Sequence, residues 1–509
     1  MISFDAIIIG AGMGGAAAGY VMANAGMKVM FLERGLPKHE WDTNFSGNYA
    51  EVFLDENSKN RINVYKKSGR ATYKVNSWIP VLGSGEGGST GVYGSLLFAP
   101  HPEDLKTWPE NSYHNLEPYF KRCYEILAPL GEKDPLFPRD EFVFSSRPAT
   151  KTESKLKDVL AKKGLHPYST PLGISKNSQC KNCFGFYCTS TCKKTASVFL
   201  DQIKSYPNVF FKYSTQVERM ITDGERVTGV SCITKNGREE FKASYVFLAA
   251  GALMTPVILS NSKGPYFPRG LGNEHDLVGR FLMRHLIDFY FIKTFSEKQK
   301  VNHNDLACLS FSDFYRRNGV NFGTINSTRG VMPPEQIALE FSKKFSVRSQ
   351  FIFLTPFIRE LAKIYLRTIT KNRILLAPII PDSADFENRI MPDSTIEEVK
   401  LRYKITNADK IVLKKSRRVI KKRLKGHSLR LLKAAEDNDL IAHACGTCRM
   451  AVTSQKGVVD PTGKVFGVEN LYICDGSIFP TNVGVNPSLT IAACAMKIAT
   501  EFLENKWKK

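Results

Sequence analysis

The sequence predicts an α/β fold, and three observations carry that expectation. Residues 4–9, FDAIII, form an apolar run of strand length that leads straight into a glycine-rich turn. An alanine-rich helical stretch follows, and a second apolar run over 28–32 closes a β–α–β pattern at Glu33. Near the other end, NLYICDGS reads as a strand ending in Asp475 and Gly476, and NPSLTIAACAMKIATEFL as a helix starting near Pro487.

The first turn has G-x-G-x-x-G spacing at Gly10, Gly12 and Gly15. Gly10 permits the tight turn, Gly12 lets the backbone approach a pyrophosphate, and Gly15 allows close packing of helix on strand. The helix N-terminus stabilises phosphate charge. Glu33 lies eighteen residues beyond Gly15, where a carboxylate can accept hydrogen bonds from both ribose hydroxyls. These features predict a dinucleotide site without choosing between FAD and NAD. A second glycine cluster, GSGEGGSTGVYGSLLFAP over 83–100, places Gly85, Gly87, Gly88 and Gly91 beside Ser89 and Thr90. Such a loop suits close backbone approach to a flat or anionic ligand.

At 509 residues the chain can bury a large core and divides into about two domains. Its 43% hydrophobic and 24% charged residues are those of an ordinary globular protein. The N-terminus has no basic region and no small-residue cleavage site, so no signal peptide is expected. No run of eighteen uncharged apolar residues appears, and a cytoplasmic location is the expectation. The net charge of +22 is concentrated: residues 341–430 hold 22 Lys/Arg against 8 Asp/Glu. Within them KKSRRVIKKRLKGHSLRLLKAAE reads as a helix offering Val419, Ile420, Leu424, Leu429 and Leu432 for burial. A solvated face, an anionic membrane surface met peripherally, an acidic electron-transfer partner and a phosphorylated substrate all fit this charge. Nucleic acid does not, because no recognition motif accompanies it.

His443, in HACGTCRMA, would by itself be a structural histidine, and Asn486 by itself a helix cap. Together with the N-terminal fingerprint, the loop at 85–91, PEDLKTWPENSYHNLEPYFKRCYEIL, VFLAAGALMTPVILSNS, DLVGRFLMRH and VGVNPSLTI, they resemble the glucose–methanol–choline (GMC) family of FAD-dependent oxidoreductases. The cholesterol oxidase-like and bacterial sugar or alcohol dehydrogenase branches look nearest. The resemblance implies an α/β (α+β) architecture: a discontinuous Rossmann-like FAD-binding domain over 1–284 and 436–509, and a sheet-based substrate domain over 285–435. It also implies a catalytic pair, His443 as base for the hydroxyl proton and Asn486 as hydrogen-bond donor to the substrate oxygen, with hydride passing to flavin N5. Val217, Ala250, Gly251, Asp475, Gly476 and Pro487 take positions at the cofactor, with the helix after Pro487 directing its positive end at the flavin. Two departures matter. Tyr93 stands where the family has Asn or His, so noncovalent FAD is expected, and Glu86 replaces an aliphatic residue.

Four of eleven cysteines, Cys180, Cys183, Cys188 and Cys192, crowd into SQCKNCFGFYCTSTCKKTA (178–196). Their C-x2-C-x4-C-x3-C spacing matches neither ferredoxin nor zinc-ribbon patterns. Within the family, Cys183, Cys188 and Cys192 resemble the ligands of a [3Fe–4S] cluster, with Cys180 as an extra or alternative ligand. Zinc and metal-free thiols or a disulfide remain the competing readings. A cluster would relay electrons singly to a protein or quinone. Cys445 and Cys448, in CGTC, are read as packed thiols. The implied reaction is oxidation of a CH–OH group in a sugar, amino sugar, sterol or other alcohol. Its rivals are lyase or decarboxylase chemistry on the same fold and an electron-transfer subunit of a membrane-associated complex.

Overall fold

The computed structural model describes residues 3–40, 62–64, 79–91, 93–110, 112–137, 142, 144–175, 192–293, 308–327, 360–361, 364, 373–397, 399–437, 440–441 and 443–507. The apolar run Phe4–Ile9 is strand β1, and Val29–Leu32 is strand β2. They pair in parallel, from Ala6 opposite Val29 to Ile9 opposite Leu32. Between them runs helix α1, Met13–Asn24, with ten of its twelve residues buried. A helix apolar on nearly every side must be covered on every side. The sheet covers one side of α1, and the C-terminal helix Ser488–Trp507 packs against another.

The strand Val209–Lys212 extends this parallel sheet beyond β2, and Gly237–Leu248 extends it beyond β1. The strand Leu471–Ile473 then pairs with the last residues of Gly237–Leu248, also in parallel. Gly237–Leu248 is long enough to serve twice. Its first half pairs antiparallel with Arg226–Thr234, which pairs with Gln216–Asp223 in turn. All five parallel strands therefore end on one edge, at Ile9, Leu32, Lys212, Leu248 and Ile473. Open parallel sheets bind ligands at that carboxyl edge.

A second, antiparallel sheet is built on Arg373–Pro381, a strand buried along its length. Phe289–Lys293, His285–Ile287 and Ile325–Ser327 all pair with it. Leu309–Phe311 pairs with Ile325–Ser327 and also with Tyr168–Ser169. Leu156, Leu160 and Leu165 pack with Tyr290, Phe311, Ile420 and Leu424 in one apolar cluster. Part of the chain ahead of 285 thus belongs structurally to the second sheet.

The basic helix differs from the sequence expectation at both ends. It spans Asn407–Arg423, begun by a capping box of Thr406 and Asp409 that satisfies two free backbone N–H groups. It does not continue through Leu429 and Leu432. Gly426 and Ser428 take left-handed conformations (φ 95° and 44°), which break a right-handed helix, and Arg430–Lys433 is a strand. Ile420 and Leu424 are buried, whereas Lys414, Lys415, Arg418, Lys421 and Lys422 are exposed. Arg417 pairs with Asp288 and Glu436.

Candidate active site

The glycine fingerprint folds as its spacing requires. Gly10 has φ 100°, and a Cβ on Gly15 would lie 2.0 Å from the Gly10 carbonyl oxygen, so helix and strand meet with no side chain between them. A Cβ on Gly14 would lie 1.9 Å from the Cys474 carbonyl oxygen, which locks α1 against the segment carrying Asp475. Gly12 is different. A Cβ there would meet only Gly88 Cα, at 3.9 Å, an ordinary contact, so packing within the protein leaves room for one at this position. The α1 N-terminus has no side-chain cap and no acid in its first turn. Its first N–H groups and its dipole are left for an anionic group.

The second glycine loop folds onto the first. Gly87 N–H donates to the Ala11 carbonyl, at 3.0 Å, and a Cβ on Gly88 would lie 2.9 Å from Gly12 Cα. Ser89 Oγ accepts from Gly83 N–H at 3.2 Å. Glu33 clasps the two loops together: its carboxylate accepts the N–H groups of Ala11, Gly35 and Gly85, each at 2.9 Å. The sequence suggested ribose hydroxyls for this carboxylate, and most of its lone pairs are engaged by backbone. Val217 is buried two residues beyond Thr215, whose N–H donates to the Glu33 carbonyl.

At the other side of the edge, Asp475 accepts hydrogen bonds from Gly251 N–H, Thr255 Oγ1 and Ser477 N–H. Burial pushes its carboxyl above the usual range. Gly251, at φ 83°, has no atom within 4 Å of where its Cβ would be. Asp475 thus ties the turn of Ala250 and Gly251 to the start of the Gly476–Ile478 turn. The two departures have structural reasons. Tyr93 donates its hydroxyl to the Lys194 carbonyl, and Lys193 sits over its ring, 5.1 Å from the centroid. Glu86 is buried and pairs with Lys204 at 2.6 Å while accepting from the Tyr213 hydroxyl.

His443 and Asn486 come together across 43 residues of sequence, with Asn486 Nδ2 3.1 Å from His443 Nε2. His443 has φ 69°, a left-handed conformation costing of order 1–3 kcal/mol and concentrated at functional sites. Asn486 immediately precedes the helix begun at the Pro487 carbonyl, which accepts Ile491 N–H. No acid stands in that helix's first turn. The Asn486 loop is clamped from two sides. Asp104 accepts Gly484 N–H at 2.9 Å, and Trp108 donates to Thr481 Oγ1 at 2.8 Å. Opposite them, Asn482 donates to the Arg284 carbonyl and to Asp382, each at 2.9 Å. Asn486 Oδ1 is buried and has no hydrogen-bond partner among the described residues.

A residue the sequence reading passed over completes the cluster. His285 Nδ1 lies 2.9 Å from His443 Nδ1, and His285 Nε2 lies 2.6 Å from the Val483 carbonyl oxygen. Burial pushes His285 down to about 4. Burial first, and the neighbouring His285 second, hold His443 well below the usual histidine range. Both rings are therefore uncharged at neutral pH. The only signal in sequence was a histidine closing DLVGRFLMRH, 158 residues from its partner. Val485, the chain neighbour of Asn486, contributes to a cavity of about 60 Å³ lined by Phe98, Tyr124, Phe137, Phe142, Tyr168 and Tyr315 together with Glu132 and Asp134.

Of the clustered cysteines, Cys180, Cys183 and Cys188 lie outside the described residues. Cys192 is buried, and its carbonyl accepts Ser175 N–H. Among the described residues no group of three or more His, Cys, Asp or Glu could hold a metal ion. Cys445 and Cys448 are buried free thiols whose ionisation burial opposes, which agrees with the packing read from the sequence. No helix among the described residues is long and apolar enough to cross a membrane.

Known proteins similar to this chain bear on its family and fold. 6'''-Hydroxyparomomycin C oxidase of Streptomyces lividus is 25% identical, over 97% of this chain and 90% of its own. 2-Methyl-1,2-propanediol dehydrogenase of Mycolicibacterium austroafricanum is 23% identical, over 99% of this chain and 95% of its own. The crystal structure of pyridoxine 4-oxidase from Mesorbium loti shares the fold, with a TM-score of 0.66 at 16% identity and 99% coverage of both chains. The GMC oxidoreductase profiles match residues 4–287 and 389–495. With both profiles matched, and the first spanning more than half its length, the chain belongs to the GMC oxidoreductase family.

Proposed function

We propose that the protein oxidises a CH–OH group of a small-molecule alcohol with noncovalently bound FAD. The observation that carries this reading is the hydrogen-bonded alignment of Asn486, His443 and His285 just ahead of the C-terminal helix, with both imidazoles uncharged. Gly10, Gly12 and Gly15 with the α1 N-terminus would hold the pyrophosphate. Gly87, Gly88 and Ser89 would cover the cofactor, and Glu33 and Val217 lie toward its adenosine end. Ala250, Gly251, Asp475, Gly476 and Pro487 lie toward the flavin. The room at Gly12 and the open space at Gly251 support this fit. Bound FAD supplies the acceptor for the hydride. His443 takes the hydroxyl proton at Nε2, the nitrogen that now faces Asn486. Asn486 donates through Nδ2 to the substrate oxygen and stabilises its developing negative charge. The aromatic cavity lined by Val485 belongs to the substrate side, for a sugar, amino sugar, sterol or other alcohol. The names of the two relatives favour an alcohol donor.

In this reading 1–284 and 436–509 carry the cofactor and 285–435 the substrate side, with residues 151–169 joining the latter through the second sheet. The test is anaerobic: a panel of sugars, amino sugars, diols, sterols and long-chain alcohols is mixed with oxidised enzyme, and loss of flavin absorbance is followed. Bleaching by a member of the panel is the expected result. An unbleached flavin with product formed from an alcohol would indicate lyase chemistry instead.

The burial of His443 also sets a pH dependence. A base whose pKa is lowered stays unprotonated as pH falls, and activity is lost only when pH drops through that lowered value. The acidic limb of kcat/KM is therefore expected below about pH 6.5, the ordinary histidine value. A limb at or above that pH counts against the assignment.

The [3Fe–4S] reading rests on the spacing of Cys183, Cys188 and Cys192, and an iron and acid-labile sulfide assay decides between it, zinc and thiols. Iron would favour a protein or quinone acceptor. The exposed cations of Asn407–Arg423 support contact with an anionic partner, a membrane surface included.

A further inference from the structure

We infer that His285 is a positioning residue that fixes the tautomer of His443, so that the lone pair of the base, and not its proton, faces the substrate. The inference rests on the reading of His443 as the proton acceptor. One hydrogen-bond chain carries it, and its polarity is fixed at the end whose chemistry admits a single answer. The Val483 carbonyl oxygen has no hydrogen to give, so His285 Nε2, 2.6 Å away, donates. His285 is 3% exposed and uncharged, and a neutral imidazole carries one N–H. Its Nδ1 is therefore an acceptor. His443 Nδ1, 2.9 Å from it, must then donate, which leaves His443 Nε2 as a bare lone pair. Asn486 Nδ2, 3.1 Å from that nitrogen, donates to it. Every bond in the chain points the same way, from Asn486 to Val483.

Without His285 the two neutral forms of His443 would compete, and the form protonated at Nε2 cannot act as a base there. The same bond keeps an acceptor on His443 Nδ1–H when the ring gains its second proton. The anchor is also local. Val483 lies three residues before Asn486, so the backbone that carries the donor of the chain also carries its final acceptor. His285 itself is fixed in the second sheet, opposite Pro381.

Two substitutions separate this role from a purely structural one. The side-chain amide of His285→Asn reaches the position of Nδ1 and can accept from His443, but falls short of Val483. The amide of His285→Gln reaches the position of Nε2 and can donate to Val483, but offers no acceptor to His443. With flavin content and melting temperature measured alongside, His285→Asn is expected to keep kcat within about 5-fold. His285→Gln is expected to lose on the order of 10²-fold in kcat with little change in KM, the low end of what a general base contributes. Selective 15N-histidine NMR of the wild-type holoenzyme is expected to find His443 protonated at Nδ1 and bare at Nε2. A proton on Nε2 in the wild type overturns the inference without any variant. So do equal losses in the two variants, no loss in either, or the greater loss in His285→Asn, which would mark His285 as a tether for the Val483 loop. Failure of the underlying reading is distinguishable, because His443→Asn would then turn over normally.

Discussion

Replacing His443 by Asn is expected to lower kcat by about 10³-fold while flavin content and melting temperature stay near wild type. The size follows from the 10²–10⁴-fold that a positioned general base contributes. Asn is the substitution of choice because of the backbone. At φ 69° an alanine would add conformational strain to the loss of the base, whereas Asn visits the left-handed region readily. The remaining donor, Asn486, would still hold the substrate oxygen, so KM should move little. Stopped-flow reduction of the flavin by substrate reads the chemical step directly. Wild-type reduction rates in this variant would remove His443 from the chemistry.

Gly12→Ala and Gly14→Ala are expected to fail in opposite ways, although they lie two residues apart. At Gly12 the backbone is extended (φ −79°, ψ −170°), and a Cβ meets nothing closer than 3.9 Å. The apoprotein should fold and melt almost as wild type. The added methyl instead stands where the pyrophosphate must approach, so flavin should be lost on gel filtration, with affinity down at least about 100-fold, or about 2.7 kcal/mol. At Gly14 the methyl would lie 1.9 Å from a backbone oxygen that cannot swing aside. Overpacking of this kind costs about 1–3 kcal/mol or more, and the melting temperature of the apoprotein should drop. A Gly12→Ala protein that retains flavin as wild type does would refute the cradle.

The contrast between these glycines also measures how far sequence reading reached. Local features were legible, because strand length, helix composition and glycine spacing are set by neighbours in the chain. That is why β1, α1, β2 and the C-terminal helix fall where the apolar patterns put them. Pair formation between His443 and Asn486 came from a family pattern and is met at 3.1 Å. What stayed hidden depends on distant partners. His285 is one histidine at the end of an apolar stretch until the second sheet brings it to His443. Asp104 looks like a surface acid in PEDL, yet it is buried and accepts from Tyr315, Arg316, Asn321 and Gly484. The Val485 cavity is lined mostly by residues of 98–171, which no periodicity could announce. The basic helix was misjudged for a local reason: a run of cations hid the break at Gly426.

The position of the last parallel strand has a consequence for how the molecule is made. Leu471–Ile473 completes the first sheet, and Ser488–Trp507 covers α1, so residues within the first 25 wait for partners near the end of the chain. At roughly 5–20 residues per second of synthesis, the apolar face of α1 stands uncovered for tens of seconds while the chain grows. The half-made protein is thus a sticky species that needs shelter, and no fragment ending before the final helix should accumulate in soluble form.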